Sequence, residues 1–199
     1  SEGARVAVWP GLSICYRVNR TTVSTMSVVN PPLRSVRAPN HLVATSDHLA
    51  TSAGVEMLAR GGNAADAAIA ANAAIAVTGP HLCGIGGDLL ALVYDDGEVH
   101  ALNASGRAGS GADPASLRAE GHATMPFRLD IRSVTVPGCV DGWLTLHERF
   151  GSLPLPTLLA PAIGLANNGF TASPLLLGAL HRVGKTGRES LHELASQAR

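Results

Sequence analysis

The sequence predicts a mixed α/β (α+β) chain, on three observations. Two helical runs between residues 46 and 79 each have a cap residue at the start and glycine at the end. Two β-prone runs, LLALVY and EVHALNA, flank Asp95, Asp96 and Gly97, and Asp-Gly tolerates the positive φ angles of a tight hairpin turn. A further set of helical runs follows from about Val140, punctuated by glycine, proline and serine.

In chain order, Ser1 to Pro39 shows no clean periodicity and ends in a proline-rich linker at Pro31, Pro32 and Pro39. It is expected to be mostly irregular, and it has neither the continuous apolar stretch nor the small-residue cleavage site of a signal peptide. Met26 lies inside it, and translation starting there would leave the first residues upstream of the real protein. A short strand is expected to end near Thr45. A helix then enters through Ser46 or Asp47, whose side-chain oxygens can accept unpaired backbone amides. Gly61 and Gly62 end it, one in the left-handed conformation and the second letting the backbone turn at once. Asn63 caps the next helix, and Asp66, three residues on, can reach back as a carboxylate form of the capping box while facing the positive end of the helix dipole. Residues 64 to 77 are mostly alanine, with Ile69, Ile75 and Val77 among them, so propensity is high and the helix can pack close. Gly79 and Pro80 stop it.

The glycine loop Gly84 to Asp88 leads into a strand, with no lysine after it. A phosphate cradle leads from a strand into a helix, so a tight turn before a buried strand is the expected reading. The second hairpin strand runs out at SGRAGSG, placing Arg107 at a strand end. Residues Ala108 to Asp130 read as a loop with one helical turn. A strand is expected over Ser133 to Val136, before Pro137 and Gly138, and a helix from about Val140 to Phe150, stopped by Gly151. Pro156 suits the first turn of the next helix, Pro161 is tolerated there or shifts the start, and Asn167 to Gly169 close it. Ser173 and Pro174 open a last helix. The end, GKTGRESLHELASQAR, is polar and expected to fray.

At 199 residues the chain is long enough for a domain with a real core. Charged residues make up 15%, against about 25% in a typical soluble domain, which points to surfaces made to be covered. Zero formal net charge and the absence of a long basic run argue against nucleic acid or an anionic membrane as the main partner. No apolar run approaches the ~18 residues of a membrane span. Cys15, Cys83 and Cys139 are an odd number without metal spacing, which supports neither a disulfide framework nor a zinc site. The eight histidines, His41, His48, His81, His100, His122, His147, His181 and His192, include no helical i, i+4 metal pair with an acidic partner, so solvated or locally hydrogen-bonded imidazoles are expected. No glycine-flanked serine elbow supports a serine triad. GGNAADAA presents a helix N-terminus, a generic anion site, but Asp66 already supplies the negative charge there. No cofactor and no metal are expected, and the compartment is left open.

The order of VATSDHLATSAG, GGNAADAA, a proline, GIGGD, a hairpin followed by an arginine, VPG and HERFGSLPLPTLLAPAIGLANNGF resembles the gamma-glutamyltranspeptidase family of N-terminal-nucleophile hydrolases. The similarity runs roughly from Val43 to Leu180. It implies the front part of a large subunit and part of an αββα sandwich whose small-subunit half is missing. Residues 1–40 would be an irregular segment and linker, 41–183 the large-subunit fragment and 184–199 a polar tail. The implied reaction is transfer of a gamma-glutamyl group from a glutathione-like small molecule to water or an amine.

The resemblance gives Arg107 the α-carboxylate of the gamma-glutamyl group, and an always-charged guanidinium can bind a carboxylate bidentately. The acidic residue often seen next to that arginine is here Ala108, which leaves acylases of the same family acting on other acyl groups open. A surface ion-pair arginine is the plain alternative. The family nucleophile is a threonine at the head of the small subunit, exposed by self-cleavage, with its own amine as base. The similarity stops short of it, so this partner chain is expected from elsewhere and the isolated chain is expected to be inactive. Thr21 and Thr22 lie before the large-subunit block, and Ser1 has nothing around it like a nucleophile strand, so none of the three is expected to serve. A non-catalytic module binding a partner chain or an anion, and an inert product of a truncated frame, are the readings from other classes.

Overall fold

The computed structural model describes residues 5–9, 38–126 and 130–182. The linker prolines 31 and 32, Met26, the threonines at 21 and 22, Ser1, Cys15, His192 and the polar tail lie outside them. The elements are β1 (Arg5–Trp9), α1 (His48–Ala59), α2 (Ala64–Thr78), β2 (Leu89–Asp95), β3 (Glu98–Ala104), α3 (Pro114–Ala119), a 3-10 turn (Ile131–Ser133), α4 (Cys139–Phe150), α5 (Leu155–Asn168) and α6 (Pro174–Arg182).

The helix pair forms as its punctuation demands. Asp47 caps α1, with Oδ1 accepting from the amides of Leu49 at 2.8 Å and Ala50 at 3.3 Å. Gly61 takes φ +85°, and the Gly62 amide donates back to the Met57 carbonyl at 2.9 Å. The capping box at Asn63 is complete: its Oδ1 accepts from Ala65 and Asp66, and the Asp66 carboxylate accepts the Asn63 amide at 2.9 Å. This helix start is not open to solvent. Asp66 is 0% exposed, because its carboxylate also accepts the amides of Ser152 and Leu153 and the Ser152 hydroxyl, sealing the N-terminus of α2 against the α4–α5 connection. The Asn63 side-chain amide donates to the Phe150 carbonyl at the same junction.

The alanine-rich α2 is the central element. It packs against α1 on one side, α5 on another, and α4 and β1 on the rest of its circumference. A helix buried nearly all round carries small side chains because neighbours approach its backbone from every direction. Met57, Ile69, Leu89, Val93, Trp143, Leu146 and Leu158 form the main core between helices and sheet. Ala50, Ala53, Ala74 and Ile75 form a second one in the α1–α2 seam.

The sheet has three antiparallel strands in the order β1-β2-β3. Asp96 at φ +45° and Gly97 at φ +84° make the tight turn of the hairpin. β2 was expected to be buried, and it is so on one face only. Leu89, Ala91 and Val93 face the helices, while Leu90 and Leu92 are more than 40% exposed.

Three further expectations are corrected. No strand forms at Val43–Thr45: these residues have β propensity but no neighbouring strand, and the backbone runs as coil into the cap of α1. Ser133–Val136 is not a strand either. A 3-10 turn over Ile131–Ser133 leads into extended backbone whose hydrogen bonds go to the loop after β3. Conversely, Arg5–Trp9, inside the stretch expected to be irregular, adds β1 to the edge of β2, with Val6 opposite Val93 and Val8 opposite Ala91. The other helices follow the sequence: α5 carries Pro161 inside and closes at Gly169 (φ +77°), and the Ser173 hydroxyl accepts the Leu176 amide at the start of α6.

Candidate functional site

Arg107 lies three residues past β3, at the end of the hairpin opposite its turn. Three backbone segments meet there. The Gly87 carbonyl, at the end of the glycine loop, accepts from Gly138 at 3.1 Å and Cys139 at 3.0 Å. The Arg107 carbonyl accepts the Val136 amide at 2.9 Å, and the Ser105 carbonyl accepts the Thr135 hydroxyl at 3.1 Å. Ser105 is itself steadied by Asn103, whose Oδ1 accepts its amide at 3.1 Å and its hydroxyl at 2.6 Å.

Such close stacking needs missing side chains. Gly106 takes φ +77°, and a Cβ there would collide with the Val136 carbonyl. A Cβ at Gly138 would collide with the Ala104 carbonyl. The backbone of Arg107 is therefore held while its side chain stands exposed, and among the described residues it makes no ion pair. A guanidinium so placed can take a carboxylate from outside.

Behind the clamp, α4 starts at Gly138 without a side-chain cap. Asn72, nearly buried in α2, fixes this end by accepting the Trp143 indole N–H at 2.7 Å, with the Cys139 sulfur 3.9 Å away. Burial pushes the Cys139 thiol up to about 11, and repulsion from the Asp88 carboxylate, and from Cys83 once that thiol ionises at high pH, adds to it. Burial also raises Cys83. Both sulfurs stay protonated at neutral pH, so neither is the activated thiolate that cysteine nucleophiles need.

Among the described residues, no group of three or more His, Cys, Asp or Glu is placed to hold a metal ion, and no helix is long and apolar enough to cross a membrane. His147 bonds the Leu153 carbonyl at 2.8 Å, and His100 meets Arg149 at 3.1 Å while packing on Phe150. The cavity beside that pair, reaching Val93 and Thr145, measures about 40 Å³. A site for a small organic ligand usually needs about 300 Å³ or more. His81 departs from the expected pattern, since both ring nitrogens are buried without a partner among the described residues. Sequence reasoning misses Asn72 and the crossing made by the 135–138 segment, whose signals in the sequence are the two glycines, Gly106 and Gly138.

Comparison with known proteins places the chain as a whole. Residues 50–195 match the family model described as Gamma-glutamyltranspeptidase. The chain is 37% identical over 142 residues to the Glutathione hydrolase-like YwrD proenzyme of Bacillus subtilis, covering 70% of this chain and 27% of the relative. It is 35% identical over 149 residues to the Acylase ACY 1 proenzyme of a Pseudomonas strain, covering 68% and 26%. The solved gamma-glutamyltranspeptidase from Pseudomonas nitroreducens complexed with L-DON superposes with a TM-score of 0.67 at 33% identity, over 73% of this chain and 44% of that one. The chain thus spans about a quarter of the length of the relatives it matches. Sequence, fold and family model agree, and the chain belongs to the gamma-glutamyltranspeptidase family.

Proposed function

We propose that this chain forms the front of the large subunit of a gamma-glutamyl transferase or hydrolase, and that Arg107 binds the α-carboxylate of the donor. The observation that carries this reading is an arginine whose backbone is clamped between two loops while its guanidinium faces solvent without an ion pair among the described residues. A surface ion-pair arginine has no need of such a clamp. The reacting hydroxyl is assigned to a threonine of a small subunit, and alone the chain turns over no gamma-glutamyl anilide. The outer face of the sheet, where Leu90, Leu92 and Val99 are exposed, supports a second layer packing there.

Acyl transfer from a donor without an α-carboxylate is a second reading, favoured by Ala108 beside Arg107 and by the acylase among the relatives. One experiment separates the two. In a proenzyme-length polypeptide carrying this chain, Arg107→Lys keeps the charge but loses the bidentate fork. The apparent Michaelis constant for a gamma-glutamyl donor should rise about tenfold or more, from the roughly 1.5 to 3 kcal/mol of a charge-assisted bond. A donor lacking the carboxylate should be little affected, and self-cleavage should persist. Equal effects on both donors would refute the carboxylate role.

A further inference from the structure

The end of α2 at Thr78 and the loop from Gly79 to Asp88 have their polarity turned inside out. Both His81 ring nitrogens and the hydroxyl of Thr78, a residue only 1% exposed, are buried with no hydrogen-bond partner among the described residues. An imidazole always carries at least one N–H, so a donor is stranded there as well as an acceptor. On the outside, Leu82 is 45% and Ile85 63% exposed. Beyond the Gly79 amide, which closes α2 on the Ile75 carbonyl, the backbone hydrogen bonds of the loop among the described residues are the short turns from Leu82 and Cys83 to Gly79 and from Gly87 to Gly84, together with the two that Gly87 accepts from the start of α4. Buried polar groups are almost always paired, and exposed alkyl groups gain by being covered, so both ends of this arrangement favour change.

We propose that this loop is a docking element for the remaining polypeptide of the proenzyme. An apolar stretch of that polypeptide covers Leu82 and Ile85, and a backbone carbonyl or side-chain acceptor reaches the His81 imidazole as the loop re-seats. The inference rests on the large-subunit reading above. Two facts select this occupant over others. The relatives are proenzymes of which this chain spans 27% and 26%, so most of the polypeptide in such a protein has still to be packed. The loop is also joined through Gly87 to the clamp that holds Arg107, so a segment seated on it would lie beside the proposed substrate arginine. Docking and completion of the site would be one event.

The test compares the chain alone with the chain fused ahead of the part of the Bacillus subtilis relative that lies beyond the matched stretch. An Ile85→Cys variant is labelled with a polar maleimide and read peptide by peptide by mass spectrometry, so that the native cysteines do not interfere. Labelling at position 85 should be fast in the chain alone and at least tenfold slower in the fusion. Backbone hydrogen exchange at Ile85 and Gly86 in the unsubstituted proteins should slow in the same direction. In the chain alone, His81→Phe should leave the unfolding midpoint unchanged or raise it, since it removes stranded polar atoms. In the fusion it should lower the midpoint. Equal labelling in both proteins would overturn the docking role, as would protection that appears merely on concentrating the chain alone, which would identify a second copy as the occupant. A lower midpoint for His81→Phe in the chain alone would show that the imidazole already has partners. Position 85 protected in a fusion whose two donors respond equally to Arg107→Lys would sink the carboxylate reading and leave the docking element standing.

Discussion

Asp66 is where a single side chain should matter most to stability. Its carboxylate is 0% exposed and accepts the Asn63 amide at 2.9 Å, the Ser152 amide at 3.0 Å, the Ser152 hydroxyl at 2.5 Å and the Leu153 amide at 3.3 Å. It therefore caps α2 and at the same time ties the α4–α5 connection to it. Asp66→Ala strands three backbone donors, and each unsatisfied group costs about 1 to 3 kcal/mol when water cannot reach it. Partial relaxation brings the expected total to roughly 3 to 5 kcal/mol, at the upper end for one substitution. At about 2 to 4 °C per kcal/mol for a chain of this size, the melting midpoint should fall by roughly 6 to 20 °C. Asp66→Asn should fall between wild type and Ala, since one oxygen still accepts but the new amide group faces donors. Ser152→Ala should cost only about 1 kcal/mol, because the Ser152 amide keeps its acceptor. Urea and thermal unfolding followed by circular dichroism measure all three. An Asp66→Ala protein within 1 kcal/mol of wild type would refute the idea that this carboxylate joins the two halves of the helical layer.

Two other predictions concern the inter-helix turn and a surface ion network. Gly61→Val should cost about 1 to 3 kcal/mol through its φ of +85°, with Gly61→Asn milder because asparagine tolerates that region; Gly62→Ala should be destabilising for a different reason, since its Cβ would lie 2.9 Å from the Met57 carbonyl oxygen, and unchanged melting in all three would show the turn to be misread. Hydrogen bonds from Arg132 hold Asp130 down at about 2 and lower Glu120 as well, so the contribution of each to holding α3 against the 3-10 turn is fully present above the ordinary carboxylate range and lost as the pH falls through its lowered value, about 2 for Asp130. Side-chain carboxyl NMR should show the Asp130 midpoint rising toward 3.8 in Arg132→Ala, and no change on that substitution would rule the network out.

What the sequence made legible was local. The caps at Asp47, Asn63 and Ser173, the stop at Gly61 and the turn at Asp96-Gly97 each need only residues within a few positions, and each forms as read. The strands were harder because a strand is decided by its neighbour. Val43–Thr45 has β propensity and no partner, whereas Arg5–Trp9 has the free edge of β2 some 80 residues away. One-sided burial of β2 followed the same logic: the alternation in LLALV is apolar at every position, so the pattern alone could not say which face would be covered.

The site was the least legible part, because it is built of backbone. Arg107 stood out only through a family resemblance, since an arginine after a strand has no local signature of ligand binding. The clamp that singles it out joins Ser105 to Thr135 and Arg107 to Val136, about 30 residues apart, through main-chain carbonyls that every residue possesses. Sequence records such a contact only as an absence of side chains, here Gly106 on one segment and Gly138 on the other. A glycine read alone means a turn. Two glycines that each leave room for the other segment's carbonyl mean a crossing, and here the crossing fixes where the guanidinium begins. Its position is then set by the hairpin through Ala104 and by α4 through Gly138, so displacing either element would move Arg107 without touching it.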